Sequence, residues 1–200
     1  MITSTQAYNQ ICETRTPVHT AQAPGIGQFE LYPLAIDADA QVIHHWVNQE
    51  YAKYWMMQGT TTEQVKEEYI RLLAHSDIYI GAVNRQYAFL LEKYKALDEE
   101  VGRHYEAQSG DYGMHILVGP ADRPVSGFTW QVFRFIMQFL FMDDRVKRVV
   151  VEPDVNNEKI HVLNYKAGFE YQGTIRMPHK EASLAFCTRS QFQKALFEAH

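Results

Sequence analysis

Two side chains in this sequence have the types and spacing that move protons. His115 lies inside the run DYGMHILVG, and Asp154 follows the run KRVVVEP. Both runs read as strands, and the loop and apolar helix between them read as one parallel crossover. A right-handed crossover makes the two strands neighbours, so imidazole and carboxylate can face one cleft. Imidazole accepts a proton near neutral pH, and a carboxylate orients it and stabilises its charged form. A hydrogen-bonded core histidine and a helix-capping aspartate would use the same residues, and residue type alone favours that plainer use. A second candidate is the loop 119–127, which opens into a helix at Gly127. The unpaired N–H groups and dipole of a first helical turn attract anions such as phosphate. Arg123 and Ser126 stand beside them, although an ordinary strand-to-helix loop has the same appearance.

Other reactive types point away from chemistry. Cys187 sits in an apolar strand with no His nearby in sequence, which makes it a poor nucleophile. Cys12 and Cys187 form no CxxC pair, so neither a disulfide framework nor a zinc site of that kind is expected. The 9 His are scattered, and His44 and His45 diverge as neighbours on a helix, so no metal is expected.

The elements that must position these groups follow from patterning. Residues 1–27 are polar and carry Pro17, Pro24, Gly25 and Gly27, which reads as an N-terminal arm before a domain at 28–200. FELYPL is a short first strand. Asp37 is the expected N-cap of a helix through about Asn48, with Ala40, Ile43, Trp46 and Val47 on one face. Thr61 and Thr62 open a second helix. DIYIGAVN and QYAFLLEK form a hairpin about Asn84-Arg85. After a charged, partly helical stretch come the His115 strand, the loop, a buried apolar helix and the strand before Asp154. Asn156 or Asn157 caps the next helix, Gly168 ends it, and two strands and a final helix close the chain. The order β-α-α-β-β-β-α-β-α-β-β-α describes an α/β (α+β) fold with a mixed, mostly antiparallel sheet.

Composition sets outer limits. The 200 residues suit one domain, and 46% apolar with 22% charged excludes global disorder. With 12 Tyr, 11 Phe and 3 Trp the chain can fill a core and line a pocket. A net charge of -5 argues against a general grip on nucleic acid. The run Phe128–Met142 is interrupted by Arg134 and falls short of the roughly 20 residues that span a bilayer. The opening MITSTQAYNQ has neither a basic head nor an apolar stretch, so a cytoplasmic protein is expected.

Four segments carry a family resemblance: HHWVNQEYAKYW, GDYGMHILVGP, VVVEPDVNNEKI and YKAGFEYQGTIRMPHK. With their connections they cover roughly residues 29–190, and they resemble the GCN5-related N-acetyltransferase superfamily. The nearer resemblance is to the acyltransferases of hydroxamate siderophore biosynthesis. It implies the GNAT fold, with the parallel β-α-β crossover forming an acyl-CoA cleft. It also implies transfer from succinyl-CoA or acetyl-CoA to an N-hydroxylated diamine (N-hydroxyputrescine or N-hydroxycadaverine) or N-hydroxylysine. His115 and Asp154 match the catalytic pair. Leu117 and Val118 match the strand that polarises the thioester, and Arg123, Ser126, Gly127, Phe128 and Thr129 the loop that holds the cofactor phosphates. Gly127 fits the superfamily's loop pattern, whereas Pro124 replaces its Arg or Gln. Asn157 matches a cofactor contact, with a plain N-cap as the alternative. At the position of the superfamily's thiolate-protonating Tyr stands Asn164, with Tyr165 beside it. His44, Trp46 and Trp55 match the acceptor pocket, and a core position serves Trp46 equally. His179 and Lys180 match residues that hold a donor carboxylate or a phosphate, with a solvated turn as the alternative. The partner implied is a small N-hydroxylated amine, without nucleic acid or membrane; a homodimer is compatible with the family. Two rivals stand beside this reading: an aminoglycoside or polyamine N-acetyltransferase, and a non-catalytic acyl-CoA-binding module.

Overall fold

Residues 19–27, expected within the arm, instead build a hairpin. In the computed structural model, which describes residues 10–120 and 125–198, β1 (His19–Ala23) pairs antiparallel with β2 (Gly27–Pro33). The expected boundary between arm and domain therefore falls inside this hairpin. Ile11, earlier still, is buried in the core. The arm's polar composition hid this because β1 is an edge strand whose side chains are mostly half-exposed or exposed.

The remaining elements follow in chain order. They are α1 (Ile36–Val47), α2 (Thr62–Leu72), β3 (Ser76–Val83), β4 (Gln86–Lys95), β5 (Asp111–Val118) and α3 (Phe128–Met142). Then come β6 (Arg148–Val151), α4 (Glu158–Lys166), β7 (Glu170–Met177), β8 (Lys180–Thr188) and α5 (Arg189–Glu198). Among the described residues the strands form one eight-stranded sheet, ordered β1-β2-β3-β4-β5-β6-β8-β7. β5 and β6 run parallel, while β2 and β3, β6 and β8, and β7 and β8 are antiparallel.

The chain clusters into two compact units. The first takes the residues up to Glu92 together with Ile116–Phe135. Its core joins Tyr32, Ile43, Trp46, Val65, Tyr69, Ile80 and Leu90. At the β3–β4 turn Asn84 and Arg85 both take positive φ, 49° and 66°, the paired left-handed conformation of a two-residue hairpin loop. Thr61 and Gln64 cap α2 reciprocally: each backbone N–H donates to the other's side chain, at 2.8 Å and 3.2 Å. The start of α1 differs from expectation. Ala35, not Asp37, is the N-cap residue, and its N–H donates to the Asp39 carboxylate at 2.8 Å. Asp39 is fully buried and also accepts from Arg15 and Tyr87, both at 2.7 Å, so the pre-hairpin segment is tied to α1.

The second unit takes Lys93–His115 and Ile136 onward. Tyr94, Ala96, Val101, Val150 and Leu184 are buried together in it. Its parallel ladder pairs Asp111 with Arg148, Tyr112 with Val149 and Gly113 with Val150. The first pair is also an ion pair: Arg148 donates to both Asp111 oxygens, at 2.8 Å and 2.6 Å, and Asp111 is 3% exposed. Burial pushes the Asp111 carboxyl upward, but Arg148, the Gln108 N–H and the Tyr105 hydroxyl outweigh it and hold the group below its usual range. The register of β5 against β6 is thereby pinned at its first residue.

Candidate active site

Two residues past the last ladder pair, Gly113 and Val150, stand His115 and Glu152. Equal steps along parallel strands keep them opposite each other, and the period of two puts them on one face. Their side chains meet, with His115 Nε2 2.9 Å from Glu152 Oε1. A carboxylate only accepts, so Nε2 carries the proton and the basic lone pair of the neutral ring is on Nδ1. The His115 side chain is 43% exposed and that of Glu152 4%, a half-open imidazole backed by a buried charge.

Tyr94 completes the arrangement. Its hydroxyl donates to Glu152 Oε2 at 3.2 Å and lies 3.2 Å from His115 Nε2. Its ring reaches this point by crossing β5 at Gly113, where a Cβ would come within 2.0 Å of the Tyr94 ring. Glycine is required there by close approach. From the first residue of β8, Lys180 brings its ammonium 3.5 Å from Glu152 Oε1. Burial alone would raise the Glu152 carboxyl. In the acidic range where this carboxyl titrates, the hydrogen bond and charge of the then protonated His115, the charge of Lys180 and the Tyr94 hydroxyl overcome that and hold it at about 2.

Glu152 and Tyr94 were not anticipated as site residues. Glu152 had a readable signal, since it extends the apolar run VVV with a charge and stands two residues before Asp154. Tyr94 had none, because its place depends on a glycine in another strand. Asp154 itself accepts from the Asn156 N–H at 2.8 Å and from Asn156 Nδ2 at 3.0 Å. Its backbone bridges to Ala182, next to bonds from Ser183 N–H to Pro153 and from Val155 N–H to Glu181. The exit of β6 is thus strapped to β8. Asn157 is the N-cap residue of α4 but makes no side-chain cap bond. Asn164 is buried and donates to the Tyr171 hydroxyl at 3.1 Å. His179 is exposed in the two-residue turn between β7 and β8. Burial, then the charge of Glu170, pushes the Cys187 thiol up to about 12, which fits a structural residue.

In the first unit, Leu117 is buried and Val118 half-buried near the end of β5. Arg123 and Pro124 lie outside the described residues. Ser126, Gly127 and Thr129 are exposed at the start of α3, and Gly127 has φ of 75° with open space where a Cβ would point. The Phe128 N–H turns back to the Val125 carbonyl at 3.1 Å. An exposed start to a 15-residue helix, with a glycine that leaves its backbone uncovered, suits a phosphate group. His44 Nε2 lies 3.0 Å from the Thr60 carbonyl oxygen. Trp46 is buried in the core, its indole against Gly119, and Trp55 donates to the Tyr69 hydroxyl at 3.2 Å. The core position weighed for Trp46 is the one observed.

Comparison with known proteins agrees with this architecture. A family model described as an acetyltransferase (GNAT) domain matches residues 35–177. The chain is 26% identical over 158 residues to the N(6)-hydroxylysine O-acetyltransferase of Escherichia coli, covering 78% of this chain and 50% of that protein. It therefore spans half the length of that relative. It is 25% identical over 167 residues to the N-hydroxyputrescine acetyltransferase of Acinetobacter baumannii, covering 82% and 79%. Among solved structures, aminoglycoside acetyltransferase AAC(6')-Ib in complex with paromomycin and acetyl-CoA superposes with a TM-score of 0.74 at 26% identity, covering 83% and 96%. Parallel β5 and β6 within a mostly antiparallel sheet, and a family match over most of the length, give one conclusion: this chain belongs to the GNAT acetyltransferase domain family.

Proposed function

We propose that the protein is an acyl-CoA-dependent N-acyltransferase that converts an N-hydroxylated diamine or N-hydroxylysine to a hydroxamate. The carrying observation is the half-exposed His115 imidazole held by buried Glu152 on the parallel strand pair. A hydroxylamine nitrogen is less basic than a simple amine and is uncharged near neutral pH. It attacks the thioester carbonyl carbon, the carbon–nitrogen bond forms, and the carbon–sulfur bond breaks with its electron pair on sulfur. His115 Nδ1 takes the proton that the nitrogen loses, and Glu152 stabilises the resulting imidazolium. The Leu117 N–H, two residues along β5, is the proposed donor to the carbonyl oxygen. Ser126, Gly127 and Thr129 are the proposed hold on the cofactor's phosphates, and no covalent acyl-enzyme is needed. Asp154, bonded to Asn156, shapes the β6 exit in this scheme while Glu152 orients the base.

The names of the Escherichia and Acinetobacter relatives support an N-hydroxylated acceptor. A hydroxamate chelates ferric iron through two oxygens, so the reading extends to siderophore assembly for iron acquisition in the cytoplasm, with succinyl-CoA or acetyl-CoA as donor. The likeness to AAC(6')-Ib favours a second reading, acetylation of an aminoglycoside amine. One assay separates them: thiol release from acetyl-CoA and succinyl-CoA, each crossed with N-hydroxycadaverine, N-hydroxylysine, cadaverine and kanamycin, with product mass determined. The proposal expects turnover on the hydroxylamines and a hydroxamate product. Turnover on kanamycin alone would select the second reading.

A further inference from the structure

A buried carboxylate beside a histidine has two opposed effects. It orients the ring, and it also draws a proton onto it, because a charge out of water requires a counter-charge. A histidine that is already protonated cannot act as a base. Glu152 is almost fully buried and is within hydrogen-bond reach of His115, so the pair alone would favour imidazolium. Lys180 changes this balance. Its ammonium lies 3.5 Å from Oε1, the same oxygen that His115 approaches, and it is itself largely buried, with 19% of its side chain exposed.

We propose that Lys180 keeps His115 in its neutral, proton-accepting form by supplying the counter-charge that buried Glu152 would otherwise draw from the imidazole. Lys180 is thus a positioning residue acting through Glu152. The carboxylate still holds Nε2–H and so still presents Nδ1 as the basic nitrogen. The other groups around the ring are compatible with this division. Tyr94, from β4, donates to Oε2 and brings no charge. Tyr105, whose phenol feels the Glu152 charge, donates its hydroxyl to Asp111 at 3.0 Å. Asp111 is neutralised by Arg148 across the ladder, and the Asp154 carboxylate is turned to Asn156. Among the described residues, Lys180 is thus a cation set against the charge that faces His115. The inference rests on the proposed function only in taking His115 as the base.

The test is the titration of His115 in the free, full-length protein, read from the imidazole Cε1–H resonance and assigned with His115→Asn. Removing a nearby positive charge favours the protonated ring. Lys180→Met is therefore expected to raise the midpoint by about one pH unit or more, and to move the acidic limb of kcat/KM up with it. Lys180→Arg is expected to keep both near the wild-type position. Glu152→Gln carries the opposite sign and should lower the midpoint, which keeps the idea testable should Lys180→Met not fold. A midpoint unmoved in Lys180→Met, with only kcat reduced, would overturn the proposal. So would a midpoint that does not fall in Glu152→Gln. The titration needs no substrate, so a shifted midpoint with no turnover on hydroxylamines would sink the proposed reaction and leave this inference standing.

Discussion

At the scale of single residues, the proposed site divides its labour between a half-exposed group and a buried one. His115 is open enough to meet an acceptor, and Glu152, shut away from water, fixes which nitrogen of the ring is basic. Replacing Glu152 by Gln should lower kcat, with acyl-CoA affinity by calorimetry unchanged. The same substitution tests the electrostatics without substrate. The folded state holds Glu152 at about 2 against an ordinary 4.5, so its ionised form favours folding. That stabilisation is complete above about pH 4.5 and is lost as pH falls through about 2. Urea unfolding across that window should therefore show a steeper loss of stability in the wild type than in Glu152→Gln. Parallel curves would contradict the assignment. His115 was legible because an imidazole interrupts an otherwise apolar strand. The carboxylate that lies beside it is Glu152, two residues before the expected Asp154, which accepts from Asn156 instead. Both carboxylates satisfy the same topological argument, and only the register decides which one stands opposite the ring.

Register is a property of elements, and here it is set by side chains distant from the chemistry. The Asp111–Arg148 pair locks the first residues of β5 and β6. Arg148→Met would leave Asp111 buried with its cation removed, and a loss on the order of 3 kcal/mol is expected in denaturant unfolding. Activity should fall with it as His115 and Glu152 lose alignment. Gly113→Ala acts on the same site from the other side. The new Cβ would meet the Tyr94 ring at 2.0 Å, and overpacking of this kind costs about 1–3 kcal/mol. A crystal structure of that variant should show the Tyr94 hydroxyl withdrawn from Glu152. The positions of most strands and helices could be read from alternation, capping residues and the Asn84-Arg85 turn, because those signals are local. β1 could not be, since an edge strand carries polar side chains like those of a linker. The start of α1 lies two residues before the expected Asp37, because Asp39 reaches back to the Ala35 N–H from inside the helix.

At the scale of the molecule, the two cysteines report on the fold and on the mechanism together. Cys12 is exposed, and the Thr14 hydroxyl at 3.2 Å lowers its thiol, whereas burial raises Cys187. Iodoacetamide should label Cys12 in the native protein and Cys187 only after unfolding, as mass spectrometry would show. Rapid native labelling of Cys187 would reopen a thiol-based mechanism. Family membership fixes the sheet and the parallel pair, whereas relatives at 25–26% identity carry names with different acceptors: hydroxylysine, hydroxyputrescine and an aminoglycoside. In the proposed reaction His115 takes the proton from the attacking nitrogen. The most direct measurement is the rate of thiol release from acyl-CoA with N-hydroxycadaverine, wild type against His115→Ala, with acyl-CoA affinity determined in parallel. A fall of about 10²–10⁴-fold with affinity retained is expected. Full turnover by His115→Ala, with acyl-CoA bound normally, would contradict it.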